Sequence, residues 1–178
     1  MKSPDFDSYD VAVKRILSLS FIIVVSTTLC ADQKRPVASH SEKYTSPDGA
    51  QVAVVRSQRV SEATDESRVE LRTSAGTVSA KRDYTSPDGE HGYGVTKAAW
   101  TPDSQYFVYS LESSGGHQAW HTPVWVFSRK ESKFLSVDRA LQDSVSNPQF
   151  LVSAPDQITV ELHFSKQTRT VALGQLKR

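Results

Sequence analysis

The sequence is short of several things at once, and each shortage closes off a class of protein. Among 178 residues there is one cysteine, Cys30, so no disulfide can form within the chain. Neither charge is in excess: 21 Lys and Arg stand against 20 Asp and Glu, and no dense basic run offers nucleic acid or an anionic membrane a local attraction. Nucleic acid is therefore not an expected partner. Apolar runs stay below the roughly 20 residues that a membrane-spanning helix needs. There is no Gly-x-Ser-x-Gly elbow, no His-Glu-x-x-His, no Walker loop and no Gly-x-Gly-x-x-Gly. Ser, His and Asp are common enough that a triad drawn from them means nothing, so no catalytic residue, metal ligand or cofactor is assigned. Beyond the leader, no segment keeps a 3.6-residue apolar stripe over three turns, which removes helical bundles. What remains is ordinary globular composition, 38% apolar and 23% charged, in a chain long enough for one domain.

The first feature present is an export pattern. Lys14 and Arg15 precede an uncharged stretch, 16–31, that includes Phe21, Ile22, Ile23, Val24 and Val25. A positive start, a short apolar segment and the small-residue site Leu29-Cys30-Ala31 predict a signal peptide over 1–31, with Asp32 as the first mature residue. The mature protein is then periplasmic or secreted and has no span left. The acidic Asp5, Asp7 and Asp10 fit a leader poorly, and a start at Val13 would give one beginning Met-Lys-Arg-Ile. Lipidation of Cys30 is disfavoured by Leu29, which stands where such sites carry a small residue. Cleavage removes three bases and three acids, so the balance stays near neutral at 18 against 17.

The second feature is a repeat. Tyr44-Thr45-Ser46-Pro47-Asp48-Gly49 recurs letter for letter as Tyr84-Thr85-Ser86-Pro87-Asp88-Gly89, with weaker copies at Thr101-Pro102-Asp103-Ser104 and Ala154-Pro155-Asp156-Gln157. Pro sets the first corner of a β-turn and Asp bonds its own backbone there. Strand-like runs follow Asp48, Asp103 and Asp156: 51–57, 105–111 and 158–164. The prolines of these copies are 55 and 53 residues apart. The Pro87 copy breaks the rhythm and leads into a loop, which marks it as a reused turn. Further strands are predicted at 68–72 and 77–82, paired across Ser74-Ala75-Gly76, and at 95–100, 124–128, 134–137, 149–153 and 168–173. A helical turn is predicted at 137–142. The fold class is all-β, an antiparallel meander of two to three blade-like sheets, with a linker at 32–43 and one domain at 44–178.

The segment Ala98-Ala99-Trp100-Thr101-Pro102-Asp103-Ser104-Gln105-Tyr106-Phe107-Val108-Tyr109-Ser110 resembles the Pro-Asp repeat of TolB-type and WD-like β-propellers. The resemblance runs over about residues 44–164 and implies that each turn joins the outer strand of one unit to the inner strand of the next. It implies no chemistry, because propellers serve as enzymes, scaffolds and receptors alike. Length departs from the family. Closed propellers use about four to eight blades of about 40–50 residues, and the roughly 147 residues left after the leader hold at most about three. An open array, a sandwich of the same meanders, or a homo-oligomer that completes a ring are the arrangements that fit.

The candidate site residues lie in two glycine-rich loops. Ser113-Ser114-Gly115-Gly116-His117-Gln118-Ala119-Trp120-His121 contains His117, Trp120 and His121, and Asp88-Gly89-Glu90-His91-Gly92-Tyr93 contains Tyr93. Ten of the 16 aromatic residues lie between Tyr84 and Phe134. Runs 106–111 and 124–127, with large residues on both faces, should be buried on both sides, leaving Trp120 and Tyr93 as the rings exposed for stacking. The function expected is a non-enzymatic module that binds a protein or small ligand. The alternative is a small secreted hydrolase or metal-dependent enzyme with a site at His91, His117 and His121.

Overall fold

The computed structural model describes residues 38–176. The expected signal peptide and residues 32–37 of the expected linker lie outside the described residues. From Ser39 onward that linker is strand: β1 (Ser39–Thr45) pairs along its length with β2 (Gln51–Arg59). Its sequence, SHSEKYT, has no apolar alternation to announce a strand. The backbone ladder holds it instead, with Tyr44 packed against the core.

The architecture is all-β, with 51% strand and 6% helix in three antiparallel sheets, none closed into a barrel. In the first sheet β1 and β2 are followed by β3 (Asp65–Thr73) and β4 (Val78–Asp83), each paired with its predecessor. The second is the meander β5 (Tyr93–Trp100), β6 (Tyr106–Ser113), β7 (Val124–Ser128) and β8 (Lys133–Ser136). A short helix, α1 (Val137–Leu141), fills the expected helical turn, its N-terminus capped by Ser136 Oγ accepting from the Arg139 N–H. The third sheet is β9 (Leu151–Ser153), β10 (Gln157–Glu161) and β11 (Thr168–Ala172), with β10 in the centre.

The middle sheet is apolar on both faces, and this arranges the other two. Along β6, Phe107, Tyr109 and Leu111 point into a core shared with Ala53, Val55, Val69 and Leu71 of the first sheet. The alternate residue Val108, with Val124, Val126 and Leu135, points into a second core with Phe150, Ile158, Val160 and Leu162. A strand with period-two side chains can serve two cores only when a layer covers each face. Phe107, Tyr109 and Phe127 are at most 1% exposed, and such burial stabilises by about 1.5–3 kcal/mol per side chain. Polar tips find partners at the first core: the Tyr84 and Tyr109 hydroxyls lie 2.7 Å apart, and Trp100 Nε1 donates to the Tyr44 carbonyl at 2.8 Å. Arg82 lays its guanidinium 3.4 Å from the centroid of Trp125, a cation–π contact between β4 and β7.

The outward faces of the end sheets are mostly polar, with Val52 and Val54 on the first and Leu151 on the third as apolar exceptions. Thr159 and Thr170 bond across β10 and β11 at 2.8 Å, and the outward side of β2 and β3 carries Arg56, Arg68, Glu70 and Arg72.

Three of the Pro-Asp turns occupy equivalent places. Those at Pro47, Pro102 and Pro155 each join the first and second strands of one sheet, and lie at the same end. This corrects the connection implied by the propeller resemblance, in which the turn passes between units. The turns also touch in sequence: the Asp48 N–H donates to Ser104 Oγ at 3.0 Å, and the Asp103 N–H to the Pro155 carbonyl at 3.4 Å. Arg129 Nη1 fastens the first contact, donating to Asp48 Oδ2 at 2.6 Å and to the Ser104 carbonyl at 2.7 Å. The Pro87 copy, between β4 and β5, lies at the opposite end.

Candidate functional site

The end opposite the three turns gathers the segment 84–92 between β4 and β5, the segment 114–123 between β6 and β7, and the turn 163–166 between β10 and β11. Two side-chain clusters form there.

The first is organised by a residue that the sequence did not single out. Glu66, on β3, is 1% exposed. Its carboxylate accepts from the Ser86 N–H and Ser86 Oγ, both at 2.6 Å, from Ser114 Oγ at 2.7 Å and from the Gly92 N–H at 2.9 Å. Burial pushes the Glu66 pKa up, but these four donors outweigh it and hold the carboxyl below its usual value. A Cβ on Gly92 would collide with that carboxylate and with the Tyr84 carbonyl, and one on Gly115 with the Glu90 carbonyl. The glycines therefore permit a loop contact that Glu66 fixes. Within it the rings of His91 and His117 stack at 5.0 Å and 13°. His91 Nδ1 lies 2.6 Å from Asp88 Oδ2. The Glu90 N–H, the His91 ring and Ser86 hold the Asp88 carboxyl far below the ordinary carboxylate range.

The second cluster is aromatic. Trp120 is 45% exposed and Phe164 is 69% exposed, with ring centroids 6.0 Å apart. His163 lies 4.6 Å from Trp120, and His121 stacks on Trp120 at 5.5 Å. Two aspartates anchor the backbone beneath these rings. Asp138 accepts from His121 Nε2 at 2.8 Å and from the Val145 and Val124 N–H groups at 2.9 and 3.1 Å, tying the loop to α1 and β7. Asp143 accepts from the Ser144, Phe164 and Ser165 N–H groups at 2.7, 3.1 and 3.1 Å, which seats the 163–166 turn. Desolvation pushes the Asp143 pKa up, and these donors bring it below the usual value. Beside the cluster, Glu112, Gly116, Gln118 and His121 line a cleft of about 180 Å³.

The sequence-derived site residues thus divide. Trp120 is exposed as expected and meets His121. Tyr93 is not a loop ring: it begins β5, pairs with Ser113 and packs half-buried against the first core. The chain resumes its strand immediately after Gly92, so the ring turns inward. His91 and His117 come together, whereas His121 turns to Asp138. Both His121 nitrogens are engaged, since Nδ1 lies 3.3 Å from Gln118 Oε1. The described residues hold no group of three or more His, Cys, Asp or Glu side chains placed to bind a metal ion. Sequence reading missed His163 and Phe164 because 158–164 reads as one strand. The strand ends at Glu161, and Phe164 falls in the turn, where Lys166 takes a φ of 53°.

The chain matches no protein-family model, no curated protein and no solved structure.

Proposed function

We propose that this chain is an exported, non-enzymatic binding module that holds a protein partner through Trp120 and Phe164. The observation that carries the reading is the pair of large exposed rings from two different sheets, flanked by His121 and His163 and seated on aspartate-anchored turns. Exposed Trp and Phe side chains on a rigid base give contact area at small ordering cost, and aromatic residues dominate the energetics of protein interfaces. The three Pro-Asp turns, in contact one after another, hold the three sheets together at the far end from these rings. Export rests on the pattern at 14–31.

A photoreactive phenylalanine analogue in place of Phe164, in the full chain expressed in its source cells, tests the reading. A discrete cross-linked product outside the cytoplasm, lost on Trp120→Ala, is the expected result. Cross-linking that persists unchanged in the Trp120→Ala chain, or none at all, overturns the proposal. N-terminal sequencing of the exported form should read from Asp32.

A further inference from the structure

A different face carries a second surface. Strand pairing places Arg56 of β2 directly opposite Arg68 of β3, and on that same outward face lie Lys43, Arg72 and Lys81. Like charges directly across a ladder are destabilising. Glu70 compensates in part, 2.5 Å from Arg72 and 3.6 Å from Arg56, and Asp83 pairs with Arg68 through Nε at 2.8 Å. Glu66 shares the face, but its carboxylate is consumed beneath residues 84–92. Five cations therefore meet two available carboxylates, in a chain whose overall charge is +1. The Arg56 and Arg68 side chains remain 54% and 45% exposed. The absence of a basic run in the sequence concealed this patch, because sheet pairing assembles it from four strands.

The face is also grooved. One groove of about 340 Å³ is lined by Lys43, Arg56 and Arg72 with Val52 and Val54. A second, of about 320 Å³, is lined by Arg56 and Arg68 with Ser39, Gln58 and Thr85. Both include Ser41 and Arg56, so they form one path across the sheet.

We infer that this path binds a linear acidic polysaccharide bearing carboxylates. Guanidinium forks match carboxylates, and the hydroxyl and amide groups set between them match sugar hydroxyls. No Phe, Tyr or Trp ring lines either groove to stack successive nucleobases, His40 at one end being the single ring there, and two valines are too little for a lipid chain. A peptide added as a strand would run along the β1 edge, whereas the grooves cross the face of the sheet.

The test uses the exported protein with polygalacturonate as probe, and neutral dextran, poly-glutamate and single-stranded DNA of matched charge as competitors. Polygalacturonate should bind, weaken as salt screens the charges, and lose at least about tenfold in affinity on Arg56→Gln and on Lys43→Gln, the order of one charge-assisted hydrogen bond. Both replaced side chains are exposed, and Arg56→Gln relieves a like-charge pair, so the thermal midpoint should hold. Trp120→Ala should leave this binding unchanged, which separates it from the aromatic surface. Equal binding of dextran, tighter binding of poly-glutamate or DNA, or unaltered affinity in both charge variants would overturn the inference.

Discussion

Replacing Glu66 by alanine removes an acceptor for four donors at a site 1% exposed to solvent. The two hydroxyls can turn elsewhere, and Ser114 Oγ already has the Gly92 carbonyl at 3.1 Å. The N–H groups of Ser86 and Gly92 cannot turn, and each orphaned buried donor costs about 1–3 kcal/mol. With some relaxation the loss should be about 3 kcal/mol. For a domain of this size that lowers the thermal midpoint by about 10 °C. Glu66→Gln keeps one carbonyl oxygen and should cost about half as much. Scanning calorimetry measures the loss, and hydrogen exchange locates it: the Ser86 and Gly92 amides should exchange faster, while the β9–β11 amides keep their protection relative to the new global stability. A midpoint within about 2 °C of the parent protein, or faster exchange spread evenly over all three sheets, would refute the claim that Glu66 locks the two loops together.

Four further outcomes are expected. Phe107→Ala should cost about 3–5 kcal/mol in denaturant unfolding, because Phe107 is wholly buried between the first two sheets, whereas Trp120→Ala should cost about 1 kcal/mol or less. Gly92→Ala should destabilise at least as much as Glu66→Ala, since its Cβ meets the Glu66 carboxylate and a backbone carbonyl; equal melting of Gly92→Ala and parent protein would contradict this. Ser46, then Arg129 and the Ala50 N–H, lower the Asp48 pKa to about 2. The ionised form thus supports the fold above the usual carboxylate pKa of about 4 and loses that support as pH falls toward 2, so melting of Asp48→Asn should depend less on pH over that interval. Burial raises the Tyr84 pKa to about 12 and pushes that of Tyr109 well above the ordinary tyrosine value. Their neutral forms support the fold below about pH 10 and lose that support as pH rises, so ultraviolet titration should show both ionising only as the fold is lost.

Much of the architecture is local and was legible in the chain. β-branched and aromatic runs bounded by Pro-Asp or Ser-Ala-Gly turns locate most of the strands, because turn chemistry acts over four residues and strand alternation over a few more. Large residues at both parities of 106–111 disclose a two-sided sheet before any neighbour is known. The Pro87 turn betrays its different place by its broken spacing. Where local pattern is weak, the reading fails in particular ways: β1 is polar and held by its partner's backbone, and Tyr93 is drawn inward by the strand it begins.

The sequence by itself determined the all-β class, the turn positions, the doubly buried middle strands and the exposure of Trp120, since each follows from contacts between near neighbours. Only the tertiary structure decided that Glu66 would bind two loops, that His117 would meet His91 while His121 met Asp138, that Phe164 would stand beside Trp120, and that five scattered cations would share one face. Each depends on which strands lie side by side and in what register, and a shift of one residue would turn Glu66 and the cations of a strand to the other face of their sheet.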